Sequence, residues 1–345
     1  MHTYFNKAVV FTDVHFGRHS DSPVANQDNL DFIDWMIDRA RSRGAESCFF
    51  LGDFFHNRAT IGVASLDAAL TGLERLSGAG FRRVVMLLGN HDIARRQSRE
   101  ISALNFARHV ENITLIDRPT VLGAVTLLPW LIGDDRLMLP HLHSRYVFGH
   151  LETIGALMNA RVVCSGGQHA VEADSFIGQE YIFSGHVHKR QVLNCKHGGD
   201  MVYIGSATCH DFADANDAAR GAMFLEWGHD PVFEAWPDQP LYHSGTVSHL
   251  LNHLDALRPK MTVRASVDID LQYDEAQAMR AMLIDAYGLR KLELVNAGVV
   301  EPVQADASLG LYTVDQIVID GLGGIESDAI STARLIDIYN ALPRN

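Results

Sequence analysis

The sequence predicts a layered α/β fold with a second, smaller α/β module behind it, and three features of the 345-residue chain carry that expectation. First, five apolar, strand-like runs each break off into polar residues: "VVFTDVH", "CFFLGDFFH", "VVMLLGNHD", "YVFGH" and "YIFSGHVH". Second, helical periodicity separates the first three runs. Third, the pattern changes after a stretch between about 235 and 258, where "PDQPLYHSG" and "LRPK" carry the prolines.

In chain order, a strand at about 7–13 leads to a helix beginning near Asn26. Leu30, Ile33, Met36, Ile37 and Ala40 mark its apolar face, and Gly44 is its stop. A strand over 47–51, a helix near 63–78 and a strand over 83–88 follow. Shorter β segments are expected around 125–129, 145–148, 181–184, 201–204 and 222–227. Runs apolar throughout are strands covered on both faces. Beyond the boundary "MTVRASVDIDL" alternates, so Met261, Val263, Ala265, Val267, Ile269 and Leu271 share one face. Asp274 is expected to cap a helix that turns Met279, Met282, Leu283 and Ala286 inward and closes at Gly288. Strands near 291–295 and 314–319 complete the module. A helix from about 327 then carries Leu335, Ile338, Tyr339 and Leu342 on one stripe. The resulting domains are 1–240, 258–322 and a terminal helix over 325–345.

Bulk properties narrow the function classes. A formal charge of −13 argues against a general nucleic-acid binder, although carboxylates that hold cations count here as bare negatives. No apolar stretch nears the roughly 20 residues of a membrane span. The N-terminus runs straight into a strand, so a cytoplasmic location is expected, in the host cytoplasm if the chain is phage-encoded. Cys48, Cys164, Cys195 and Cys209 are scattered and form no C-x-x-C pair, which suggests neither a disulfide framework nor a zinc knuckle.

The polar clusters carry the chemistry. Asp13 and His15, two apart at a strand's end, point to the same side. Asp53 and His56 lie in the next strand-exit loop, Asn90, His91 and Asp92 in the third, His150 in the fourth, and His186 and His188 in the fifth. Such loops converge on one crevice. Oxygen and imidazole donors without a thiolate suit Mn, Fe, Zn and similar ions. With one carboxylate shared, these ligands fit two adjacent metals, which about 3.5–4 Å apart can grip a phosphoryl oxygen and generate a hydroxide. Arg18, Arg58, Arg95, Arg96, Lys189 and Arg190 follow the clusters closely. They read either as a DNA-binding rim around the crevice or as plain surface charge paired with nearby acids.

As an ordered set over residues 11–188, D-x-H, G-D-x-x-H, G-N-H-D, G-H and G-H-x-H resemble the calcineurin-like metallophosphoesterase superfamily. The resemblance implies a β-sandwich flanked by helices. It also implies that Asp13, His15, Asp53 and His188 hold one metal, and that Asp53 bridges to a second held by Asn90, His150 and His186. His91 would stay off the metals and stabilise or protonate the leaving oxygen, with Asp92 orienting its ring.

A finer resemblance is to the SbcD-type nuclease subunits of double-strand-break repair, particularly phage recombination endonuclease subunits. "GDFFH", "FGHLETIGA", "FSGHVHKRQ" and "YIGSATCHDFADANDAARGAMFLE" carry it. Protein phosphatases of the superfamily have Asp-Arg-Gly where this chain has "GDFFHNR". This likeness implies that His56 acts on the DNA backbone and that the module after 258 caps DNA. It implies two divalent ions, Mn²⁺ foremost, with Mg²⁺, Fe²⁺ and Zn²⁺ open. The implied partners are DNA, an SbcC-type ATPase subunit and a second copy of the chain. One terminal helix replaces the extended linker and paired helices of that branch. The expected function is therefore a two-metal DNA exonuclease or endonuclease. Its rivals are a small-molecule or protein phosphoesterase with the same centre, and a non-catalytic scaffold.

Overall fold

The computed structural model describes residues 3–158 and 162–296, together with Ser331 and Arg334. The chain divides into two units, Met1–Asn296 and Ala297–Asn345; both large sheets, the small module and the site belong to the first. The expected strand at 314–319 and the stripe of Leu335, Ile338, Tyr339 and Leu342 lie outside the described residues.

Two six-stranded sheets form the body. One runs in the order Val232–Ala235, Gly221–Glu226, Lys7–Phe11, Ser47–Phe50, Arg83–Leu87, Ile113–Ile116, and its last four strands are parallel. The other runs Gln191–Leu193, Met201–Tyr203, Tyr181–Gly185, Tyr146–His150, Val125–Leu128, Thr120–Leu122, with its central four parallel. Side chains alternate across each strand. Val10, Phe49, Val85 and Leu87 meet Leu127, Phe148 and Phe183 between the sheets, where the Phe49 and Phe148 rings stack 4.3 Å apart. Val9, Phe11, Cys48, Phe50, Val84 and Met86 face the other way, under the helices Pro23–Arg43 and Val63–Gly78. Both faces are covered, which is why these strands read as unbroken apolar runs.

The first helix starts ahead of the expected Asn26. Ser22 accepts the N–H of Ala25 at 3.4 Å and Pro23 takes the first helical position, a start signal in the sequence that the apolar period does not mark. Gly44 ends it at φ 70°.

The small module differs more. The expected linker holds a strand, Leu241–Thr246, which pairs in parallel with Met261–Val267; that strand pairs in turn with Lys291–Asn296. "LYHSGT" is half-exposed and lacks alternation, so its pattern gives no strand signal. The central strand stops at Val267, and Ile269 lies beyond it. The helix spans Tyr273–Tyr287 and is capped by Gln272, not Asp274; the Gln272 N–H donates to Glu275 Oε2 at 3.0 Å. Met279, Leu283, Ile284 and Tyr287 pack inward, while Met282 is 60% exposed. The buried stripe is rotated from the expected one because the sheet beneath selects it. Arg290 joins the module to the first helix through both oxygens of Asp28, at 2.5 and 2.6 Å. Among the described residues no helix is long and apolar enough to cross a membrane.

Candidate metal centre

Neighbouring parallel strands end on the same edge, so the loops after Phe11, Phe50, Leu87, His150 and Gly185 open together. Close approach explains their glycines. A Cβ on Gly52, whose φ is 103°, would lie 2.5 Å from His150 Nδ1, and one on Gly89 would collide with Asp53 Oδ1. Four of the candidate ligands are themselves left-handed: Asp13 at φ 51°, His15 at 53°, Asp53 at 61° and His186 at 82°. Such conformations are held at roughly 1–3 kcal/mol each and concentrate where geometry serves function.

The side chains converge. Asp53 Oδ2 lies 3.6 Å from His15 Nε2 and 3.4 Å from His150 Nε2, so a single oxygen stands between the two halves of the site. His15 Nε2 is also 3.7 Å from Asp13 Oδ1. On the other side Asn90 Oδ1 meets His150 Nε2 at 3.1 Å and His186 Nδ1 at 2.8 Å. Ligand atoms bound about 2.0–2.2 Å from one ion stand about 3–3.5 Å apart, close to these spacings of 2.8–3.7 Å. The His188 ring centre is 5.1 Å from that of His15. Groups whose ligand atoms all lie within 4.8 Å of one another are Asp13, His15 and Asp53; Asp53, His150 and His186; His15, His188 and His210; and His15, His56 and His91.

Hydrogen bonds aim these groups. Asp13 Oδ2 accepts from Thr12 Oγ1 at 2.7 Å and from the His186 N–H at 3.0 Å, whereas its Oδ1 has no hydrogen-bond partner. Both ring nitrogens of His15 are buried and likewise unpartnered. His150 Nδ1 meets the Leu51 carbonyl at 2.7 Å, which leaves Nε2 facing Asp53. A carboxylate oxygen and imidazole nitrogens held free in a dry site are the donor set that divalent ions take.

The electrostatics follow from burial and from Asp53. Burial would raise Asp53, but the imidazoles of His150, His91 and His15 hold its carboxyl well below the usual range. Burial raises Asp13. His15 and His186 are pushed well down by burial, and His188 is pushed down to about 3. His150 goes the other way: burial opposes its charge, yet Asp53 carries it up to about 9.

Several expected roles change. Asp92 does not orient the His91 ring. Its carboxylate accepts the N–H groups of Asp53, Phe54, Phe55 and Gly89 at 2.8–3.1 Å, and burial with nearby Asp53 pushes it up to about 7. The His91 ring instead places Nδ1 2.5 Å from the His56 carbonyl, and its backbone N–H donates to Asp53 Oδ1 at 2.7 Å. The His56 ring lies nearly parallel to that of His91, 5.9 Å away, at the half-buried mouth.

The rim is smaller than expected. Arg18 is buried, its guanidinium bound to the Cys209 carbonyl at 2.8 Å and to Thr208 Oγ1 at 2.5 Å. Arg190 lays its guanidinium on the Phe233 ring at 4.4 Å. Arg95 and Arg96 are exposed on the hairpin Ile93–Arg95/Ser98–Ser102, and half-buried Arg58 is anchored by the Asn90 carbonyl at 2.7 Å. Lys189 is half-buried.

Two residues escaped the sequence reading. Trp130 is buried beneath the site, its ring 5.1 Å from His186 and 6.2 Å from His150, and its Nε1 donates to the Arg96 carbonyl at 3.1 Å. His210 lies 4.0 Å from His188 and 4.8 Å from His15, centre to centre. It stands six residues past the run over 201–204, farther from a strand end than the clusters that marked the other histidines.

Residues 7–190 match the family described as Calcineurin-like phosphoesterase. No curated protein matches the chain. Among solved structures it is similar to a dimetal phosphatase from Danio rerio, at 14% identity and a TM-score of 0.41, over 66% of this chain and 95% of that one. It is also similar to the Pseudomonas putida nuclease MPE, at 17% identity and a TM-score of 0.32, over 64% of this chain and 84% of that one.

Proposed function

The chain belongs to the calcineurin-like phosphoesterases, hydrolases of phosphoesters with a dinuclear metal centre, and on that premise we propose that it is a DNA nuclease of the SbcD type. Asp13, His15, Asp53 and His188 would hold the first ion, and Asp53, Asn90, His150 and His186 the second. When bound, such ions would supply Lewis acidity and lower the pKa of water, so that a hydroxide nucleophile is available near neutral pH.

The observation that carries the reading is the pair of imidazoles at the mouth, His56 and His91, 5.9 Å apart beside the ligand set. His91 gives its Nδ1 to the His56 carbonyl, which leaves Nε2 to pass a proton to the departing oxygen. By the motif resemblance, His56 would act on the DNA strand beside the scissile phosphate. Arg58, Arg95 and Arg96 supply charge for neighbouring phosphates, which a phosphodiester chain has and a small monoester lacks.

The reading extends to DNA capping by the module after 258 and to an SbcC-type ATPase partner bound through residues 325–345. Support for both is the motif resemblance alone. The test is end-labelled duplex and single-stranded DNA with Mn²⁺ or Mg²⁺, run beside p-nitrophenyl phosphate and its bis-ester. Metal-dependent cleavage of DNA is expected; monoester hydrolysis far faster than that of any DNA would make it a phosphatase. Removing 325–345 should leave that cleavage intact and abolish co-purification with the ATPase. A truncated chain that still co-purifies would refute the docking role.

A further inference from the structure

We propose that His210 is a ligand of the first metal position, so that the ion beside Asp13 and Asp53 meets three imidazoles, those of His15, His188 and His210. The inference rests on the dinuclear reading above and adds a residue to it.

His210 is 8% exposed, and its Nε2 is buried without a hydrogen-bond partner. Leaving a buried polar nitrogen unmet costs about 1–3 kcal/mol, so such an atom points to something that fills it. The ring stands nearly perpendicular to that of His15, at 87°, and edge-on to His188. The ligand nitrogens of the three lie within 4.8 Å of one another. Imidazole nitrogens bound about 2.0–2.1 Å from one ion stand about 3–3.5 Å apart, so the three rings would draw closer about the ion.

The surroundings hold this placement. Asp214 Oδ2 accepts the His210 N–H at 2.8 Å, and Asp214 Oδ1 pairs with buried Arg220 at 3.2 Å. Arg220 also donates to the His188 carbonyl. One buried ion pair thus sets His188 and His210 relative to each other. Arg18 fixes the same loop from the other side, through the Thr208 hydroxyl and the Cys209 carbonyl. The arginine that sequence placed on the rim therefore secures the His210 loop.

The consequence is metal choice. Imidazole suits transition ions, whereas Mg²⁺ prefers carboxylate and water. A third imidazole in place of a water biases the first position against Mg²⁺.

The test uses the full-length protein, anaerobically. Co²⁺ is titrated while its visible d–d absorption is followed, with bound metal counted after dialysis, and Mn²⁺ is competed against Mg²⁺. Wild type should take two equivalents. His210→Ala should weaken one of them by at least about 10–100-fold and change the Co²⁺ spectrum. His210→Asp should keep both equivalents with its preference moved toward Mg²⁺. Two tight equivalents with an unchanged spectrum in His210→Ala would overturn the proposal. If that variant does not fold, as read by circular dichroism, wild-type Mn²⁺/Mg²⁺ selectivity in His210→Asp overturns it instead. Asp53→Ala separates the two failures: two tight equivalents in that variant, or fewer than two in wild type, would refute the dinuclear reading.

Discussion

The carboxylate of Asp92 accepts the backbone N–H of Asp53 at 2.9 Å, so an acid of the third cluster builds the loop of the second. Its other acceptor sites take the N–H groups of Phe54, Phe55 and Gly89. Asp92→Ala would leave four buried donors unmet. At about 1–3 kcal/mol for each, after partial relaxation, stability should fall by at least about 3 kcal/mol. Thermal unfolding of the metal-free protein measures this. An unchanged midpoint with slowed catalysis would return Asp92 to orienting His91.

His91→Ala should behave differently. Its Nδ1 is held by the His56 carbonyl and His91 is not among the proposed ligands, so both metals should remain and DNA should still bind. The chemical step should slow by roughly 10²–10⁴-fold, the usual weight of general acid–base assistance. Single-turnover cleavage with parallel metal analysis reads both quantities. Loss of metal would make His91 a ligand.

The basic residues divide into two sets. Replacing exposed Arg95 and Arg96 together with Ala should weaken DNA binding for every sequence and flatten its salt dependence, by up to about one unit of slope per lost phosphate contact. Arg18→Ala should instead lower the unfolding temperature, because Arg18 is buried among backbone and hydroxyl partners. An equal loss of salt slope in Arg18→Ala would restore it to the rim.

Metal binding should depend on pH through His150, whose folded pKa is raised from 6.5 to about 9 by Asp53 despite burial. The protonated ring's contribution to metal-free stability is complete below 6.5 and is lost as pH rises through about 9. A ligand must be neutral, so metal affinity rises over that same window and binding near pH 7 releases a proton. The gain in unfolding temperature on adding Mn²⁺ should therefore widen with pH. Calorimetry in two buffers of different ionisation enthalpy should detect the proton. No release would mean that His150 is already neutral.

The residue pattern alone marks the five core strands, the order of the clusters on their ends and the residue types that face the crevice. A strand covered on both faces must be apolar along its length, so its end shows as a break in the run, and the ligands sit at that break. It did not reveal where each polar side chain finds its partner. Arg18 meets Cys209 across 191 positions of chain and Thr208 across 190, and no local period records such a meeting. For the same reason His210 and Trp130 were hidden, and Asp92 looked like a partner of its neighbour when it is bound to a loop 37–39 residues away. The strand Leu241–Thr246 went unseen because a half-exposed, polar strand is made by its pairing and not by its own pattern. Periodicity reports which face of an element is buried; only the packed chain decides which distant groups that burial brings within bonding distance.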